Sequence, residues 1–274
     1  MANINRSPLD DFFDKYEEFL RIDAIACFYG RDYNLIKHFY NLFLDISQEA
    51  NNEVKIINSR EKLENIFNQY KEHNKSCLPF EVDVSRLQGN LVPIRNALRK
   101  GYALSNAFLL LVNSIKQYET WRSKLSAEAI RVIYLKNLQD GQKYYLKEIP
   151  QEINELLAKC SPGNNFILRQ TLIEFHNAMS HLNAAYKHIG DAQTNTSRAI
   201  AHFKRGALDS YKAIIRDFCL LSGNNPLPQI TKQLQKLRKH EYQSMGNDRE
   251  RDKIELYKEY KQFTDLIIES IQRQ

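Results

Sequence analysis

The fold is decided by residues 168–189, LRQTLIEFHNAMSHLNAAYKHI. Leu168, Leu172, Phe175, Met179, Leu182, Tyr186 and Ile189 recur at alternating spacings of four and three. A helix turns once every 3.6 residues, so these side chains make one stripe that must be buried against a neighbour. A second stripe follows in residues 196–221, where Ile200, Phe203, Ala207, Ile214 and Phe218 share a face. Two such helices in succession predict an antiparallel pair, each supplying part of the other's core.

The same periodicity extends outward from this pair. Helices are expected at 227–244 and 248–273, joined near Met245-Gly246-Asn247. Upstream they are expected at 9–29, 32–50, 59–74, 84–100, 103–122 and 126–138. Ser126 is positioned to cap the last of these. The stretch 131–149 reads as helix, with a small β-hairpin around Asp140-Gly141 as the alternative. Nine Gly and seven Pro are too few for a sandwich of many short strands. The expectation is an all-α, multi-helix bundle. Ser161-Pro162-Gly163-Asn164-Asn165 reads as a loop and sets the expected domain boundary. A helical domain of unassigned role (1–149) would then precede a helical bundle at 150–274.

The 39 basic and 33 acidic residues leave a net charge of +6, compatible with an anionic partner such as nucleic acid. Because the excess is small and spread out, charges coating helix surfaces account for it more simply. Lys232, Lys236, Arg238 and Lys239 concentrate that charge with no acid between them. Cys27, Cys77, Cys160 and Cys219 form no C-x-x-C pair, so no zinc or redox motif is present. The opening MANINRSPLDDFF holds no apolar run like that of a signal peptide. The longest apolar run, Ala107 to Val112, is far too short to span a bilayer. A cytoplasmic protein without membrane contact is expected.

Chemistry, if present, belongs to the helices at 166–189 and 196–221. Arg169 and His176 lie seven residues apart, within roughly 20° of each other on a helical wheel, flanking the apolar stripe. Glu174, His181 and His188 form a second line. Arg198, His202, Arg205, Asp209, Lys212 and Arg216 form a mostly basic line on the next helix. In a hairpin, His176 or His181 approaches His202, Arg205 or Asp209. This set suits phosphate chemistry. An imidazole exchanges protons near pH 7, and a guanidinium holds a phosphate by two hydrogen bonds. With a 2′-hydroxyl as nucleophile the reaction needs no metal, and the sequence holds no acidic cluster of the two-metal kind. No cofactor motif is present.

The segment Arg169-Gln170-Thr171-Leu172-Ile173-Glu174-Phe175-His176 resembles the R-x(4–6)-H motif of HEPN-type ribonucleases, with the longest spacer. These are small all-helical domains of toxin–antitoxin and antiviral defence systems. The resemblance covers at most residues 150–274, and Gln170 stands where Asn, Asp or His is common. It implies Arg169 as a phosphate ligand, His176 in proton transfer, RNA as substrate and a homodimer. His181, His202, Arg205 and Asp209 would bind phosphate or support the catalytic pair. The alternative is a non-catalytic helical protein whose stripes bind a partner protein or a second copy. Arg169 is then a surface charge, and His176 a hydrogen-bonded histidine at the edge of the core.

Overall fold

A computed structural model describes residues 12–17, 34–48, 61, 64, 65, 68, 102–137, 167–186, 190–223, 228–245 and 254–271. Every regular element among them is a helix: α1 (12–17), α2 (Asn34–Gln48), α3 (Tyr102–Lys124), α4 (Ala127–Asn137), α5 (Arg169–Tyr186), α6 (Ala192–Ser222), α7 (Pro228–Met245) and α8 (Ile254–Ile271). The all-α expectation holds. The start of 131–149 is helical through Asn137, against the hairpin alternative there; residues 138–149 lie outside the described residues, as does the expected helix at 84–100.

Local chemistry sets several of these ends. The Ser126 hydroxyl accepts from the Ala129 N–H at 3.1 Å and caps α4 as expected. Asp191 caps α6, accepting from the Thr194 N–H at 2.6 Å, so that helix begins at Ala192 rather than 196. At its other end Gly223 takes φ 61°, a left-handed conformation that suits glycine and stops the helix.

The chain divides into two compact units, each assembled from two segments. The first comprises Met1–Leu109 and Leu172–Lys204, the second Leu110–Thr171 and Arg205–Gln274. The division runs through α3, α5 and α6, not through the 150 region.

The core of the first unit is aromatic. Tyr16 meets Phe39 edge-on at 4.9 Å, Tyr40 meets Phe175 at 5.4 Å, and Phe108 meets both Phe43 at 5.0 Å and Phe203 at 5.3 Å. Edge-to-face packing sets positive ring edges against negative faces, adding geometric preference to simple burial. The apolar stripe of α5 faces this core: Leu172, Phe175, Met179, Leu182 and Tyr186 are all buried.

The second unit is built on Trp121, Ile130, Tyr211, Ile214, Tyr260 and Ile267. The Gln117 amide of α3 donates to Thr264 Oγ1 at 2.8 Å and Asp265 Oδ1 at 2.7 Å, tying α3 to α8. α7 and α8 pack against each other, as the sequence led one to expect. Within this core Asp217 of α6 is 1% exposed, and neither carboxyl oxygen has a hydrogen-bond partner among the described residues. Burial pushes its carboxyl above the usual carboxylate range; the charges of Arg216 and Arg122 offset only part of that effect.

A raised folded-state value means that the native state holds its proton to higher pH than the unfolded chain. Asp217 therefore costs stability progressively as pH rises through and above that value. Asp217→Asn should raise the melting temperature at pH 7, with the advantage shrinking as pH falls toward 4. A lower melting temperature for the variant at pH 7 would show that the ionised carboxylate is stabilising there.

Candidate functional site

The described residues bring together a polar cluster on the facing sides of α5 and α6, entirely within the first unit. His202 Nδ1–H donates to Glu174 Oε2 at 2.7 Å. One heptad further along α5, His181 Nδ1–H donates to Asn195 Oδ1 at 3.2 Å. The pairs 174–202 and 181–195 each shift by seven residues in opposite senses, the register of antiparallel helices. Between them the two imidazoles stack, with centroids 5.3 Å apart and planes inclined by 21°.

Both hydrogen bonds set a tautomer. The acceptor is an oxygen in each case, so Nδ1 carries the proton and the lone pair of a neutral ring lies on Nε2. Neither Nε2 has a hydrogen-bond partner among the described residues. Burial lowers the pKa of His181 below its ordinary 6.5; the bond to Asn195 opposes this, while His202 and Arg198 add to it. His181 is therefore a neutral imidazole at physiological pH. Glu174 is 6% and His202 16% exposed in its side chain, so their bond lies largely out of water.

His176 occupies a different face of α5. Five residues separate it from His181, roughly 140° around the helix. Its partner is the fully buried Tyr16 of α1, whose oxygen lies 2.5 Å from His176 Nδ1 and 3.1 Å from the His176 carbonyl. One arrangement satisfies both contacts: the tyrosine hydroxyl donates to the carbonyl and accepts from Nδ1–H. His176 is partly buried. Arg169 opens α5 at an exposed position in the second unit, about 10 Å along the helix axis from His176.

Arg205 and Asp209 belong to the second unit. Arg205 is exposed; Asp209 lines an open cavity of about 440 Å³ together with Gln170, Lys212, Arg216, Arg238 and Tyr260 over an apolar floor that includes Leu168 and Leu234. Lys212 pairs with buried Glu241, which also accepts from Arg238 and from the Tyr260 hydroxyl at 2.8 Å. Burial pushes the Glu241 carboxyl up. Hydrogen bonds from Lys212 and Tyr260 and the charges of Lys212 and Arg238 outweigh it, holding the carboxyl below its usual range.

Sequence reasoning allowed either His176 or His181 to approach His202, Arg205 or Asp209, and the structure brings His181 to His202; it did not find Asn195, Tyr16 or Glu241, and it read Glu174 as part of a line with His181. Glu174 had a usable signal in that line, seven residues before His181. Tyr16 had none, being 160 residues from His176. Among the described residues no group of three or more His, Cys, Asp or Glu is arranged to hold a metal ion. No family model matches the chain, and neither a curated protein nor a solved structure matches it.

Replacing Tyr16 by Phe removes the partner of His176 and keeps the ring packing. Urea unfolding should show a loss of about 1–3 kcal/mol, the usual net worth of the two hydrogen bonds that the hydroxyl makes. An unchanged midpoint would mean that these bonds do not hold α1 to α5.

Proposed function

We propose that the protein is a metal-independent endoribonuclease whose proton-transfer groups are His181 and His202. The observation that carries this reading is the stacked pair of imidazoles, each oriented through Nδ1 and each with its Nε2 uncommitted. A second, looser support is the R-x6-H resemblance of Arg169 to His176 on the same helix. In the first step neutral His181 takes the proton of a ribose 2′-hydroxyl, and that oxygen attacks the adjacent phosphorus. The bond to the 5′-oxygen breaks, and protonated His202 delivers a proton to it. The products are a 2′,3′-cyclic phosphate and a 5′-hydroxyl end. Glu174 holds the His202 ring in orientation, the role a carboxylate plays beside a catalytic histidine. Exposed Arg198, close enough to influence His181, offsets the phosphate charge.

A second reading has an observation of its own. The Glu174–His202 bond is mostly buried, which suits a polar clasp fixing the register of α5 on α6 in a non-catalytic helical protein.

The two readings separate in one assay. Labelled single-stranded RNA is incubated with the protein in EDTA, and His181→Ala and His202→Ala are compared at matched folded fraction. Each substitution should lower the cleavage rate by about 10²–10⁴-fold, the usual worth of a general acid or base. The acidic limb of the rate profile should lie below pH 6.5, because His181 must be unprotonated to act and burial lowers its pKa. No cleavage by the native protein, or equal cleavage by the variants, would overturn the enzymatic reading. A loss of stability without any activity to lose would favour the clasp.

A further inference from the structure

α7 has two opposed faces. Ile230, Leu237 and Glu241 are buried, with Leu234 between them partly so. Lys232, Lys236 and Lys239 follow the same four–three spacing two residues out of step, roughly 200° around the helix, and all three are exposed. None of the three has an ion-pair partner among the described residues. The only acid in α7 is Glu241, buried and already committed to Lys212, Arg238 and Tyr260. The neighbouring α8 differs: its Lys261 is paired with Asp265 at 2.7 Å, and its Glu259 with His240 at 2.8 Å. A solvated face ordinarily mixes both signs in this way. The outer face of α7 carries one sign only.

Beside this row stands Tyr242, one turn beyond Lys239. It is 80% exposed and makes no ring contact or hydrogen bond among the described residues. The row and the ring together suit a particular polyanion. Lysines roughly 6 Å and 5 Å apart along the axis offer successive contacts to a phosphate backbone, and an open aromatic ring offers a stacking surface for an unpaired base.

We propose that the outer face of α7 binds single-stranded nucleic acid, Lys232, Lys236 and Lys239 contacting phosphates and Tyr242 stacking on a base. This deepens the ribonuclease reading by giving the second unit a substrate-holding surface, and it rests on that reading only for the preference for RNA. The test uses the full chain and a fluorescent single-stranded oligodeoxynucleotide, which lacks the 2′-hydroxyl and cannot be cleaved by that route. Binding is followed by anisotropy across a salt series. The triple variant K232Q/K236Q/K239Q should bind about 100-fold more weakly at 0.1 M salt, and its log–log salt slope should shrink by roughly 2, the yield of three released counterions on a single strand. Tyr242→Ala should bind about 10-fold more weakly with its slope unchanged. All four positions are exposed, so each variant should keep its native melting temperature.

Native-like affinity in the triple variant, or no binding by the native protein, overturns the proposal. So does a Tyr242→Ala protein that binds as tightly as the native one, which would reduce the face to a general attraction for polyanions. Intact binding without RNA cleavage refutes the catalytic reading alone; cleavage without this binding refutes the surface alone.

Discussion

A hydrogen bond between Glu174 of α5 and His202 of α6 sets the terms for the rest of the first unit. Both groups lose most of their water on folding, a cost that is recovered only if they meet in one geometry. Sliding either helix by a turn would strand the carboxylate and the imidazole in the same low-dielectric space. The bond between His181 and Asn195 repeats the requirement one heptad on. Apolar packing brings these helices together, and the polar pairs choose the register at which they stop. The stacked imidazoles follow from that register.

Apolar packing and polar pairing are divided differently in the two units. In the first, rings from α1, α2, α3 and α5 meet edge to face, Phe203 of α6 lies tilted against Phe108, and polar groups gather along one side of α5. In the second, aliphatic and aromatic side chains surround Trp121 and Tyr260, while the charged groups at its edge converge on Glu241. Glu241, with three donors, is held below its usual range, whereas Asp217, with Arg216 standing 3.6 Å from Oδ1, is pushed above it. Two acids in one unit thus shift in opposite directions, and the difference is how far opposite charges and hydrogen bonds offset burial.

How much of this was legible in the sequence depended on range. The stripe from Leu168 onward announced α5 because its period is local and its residues are large. Ser126 announced a helix start because capping needs only a three-residue reach. The start of α6 was placed late because Asp191 lies outside the apolar stripe and was not read as a cap. Which histidines meet was half legible: an antiparallel pair allows His181 near His202, but choosing between His176 and His181 needs the rotation of α5, which is set by the aromatic core. Tyr16 was invisible, since its partner His176 lies 160 residues away, and of the partners of Glu241 only Arg238 is local, while Lys212 and Tyr260 reach it through tertiary packing. The family resemblance singled out Arg169 and His176, whereas the hydrogen-bonded cluster on the same helix lies on another face.

The central claim is that Glu174 fixes His202 with its proton on Nδ1, leaving Nε2 for chemistry. Nitrogen-15 NMR of imidazole-labelled protein reads this directly. The neutral His202 ring should show a protonated Nδ1 and a bare Nε2, and Glu174→Gln should shift that tautomer balance or broaden it while the His176 signals stay in place. A native His202 carrying its proton on Nε2, or one indifferent to Glu174→Gln, would contradict the account.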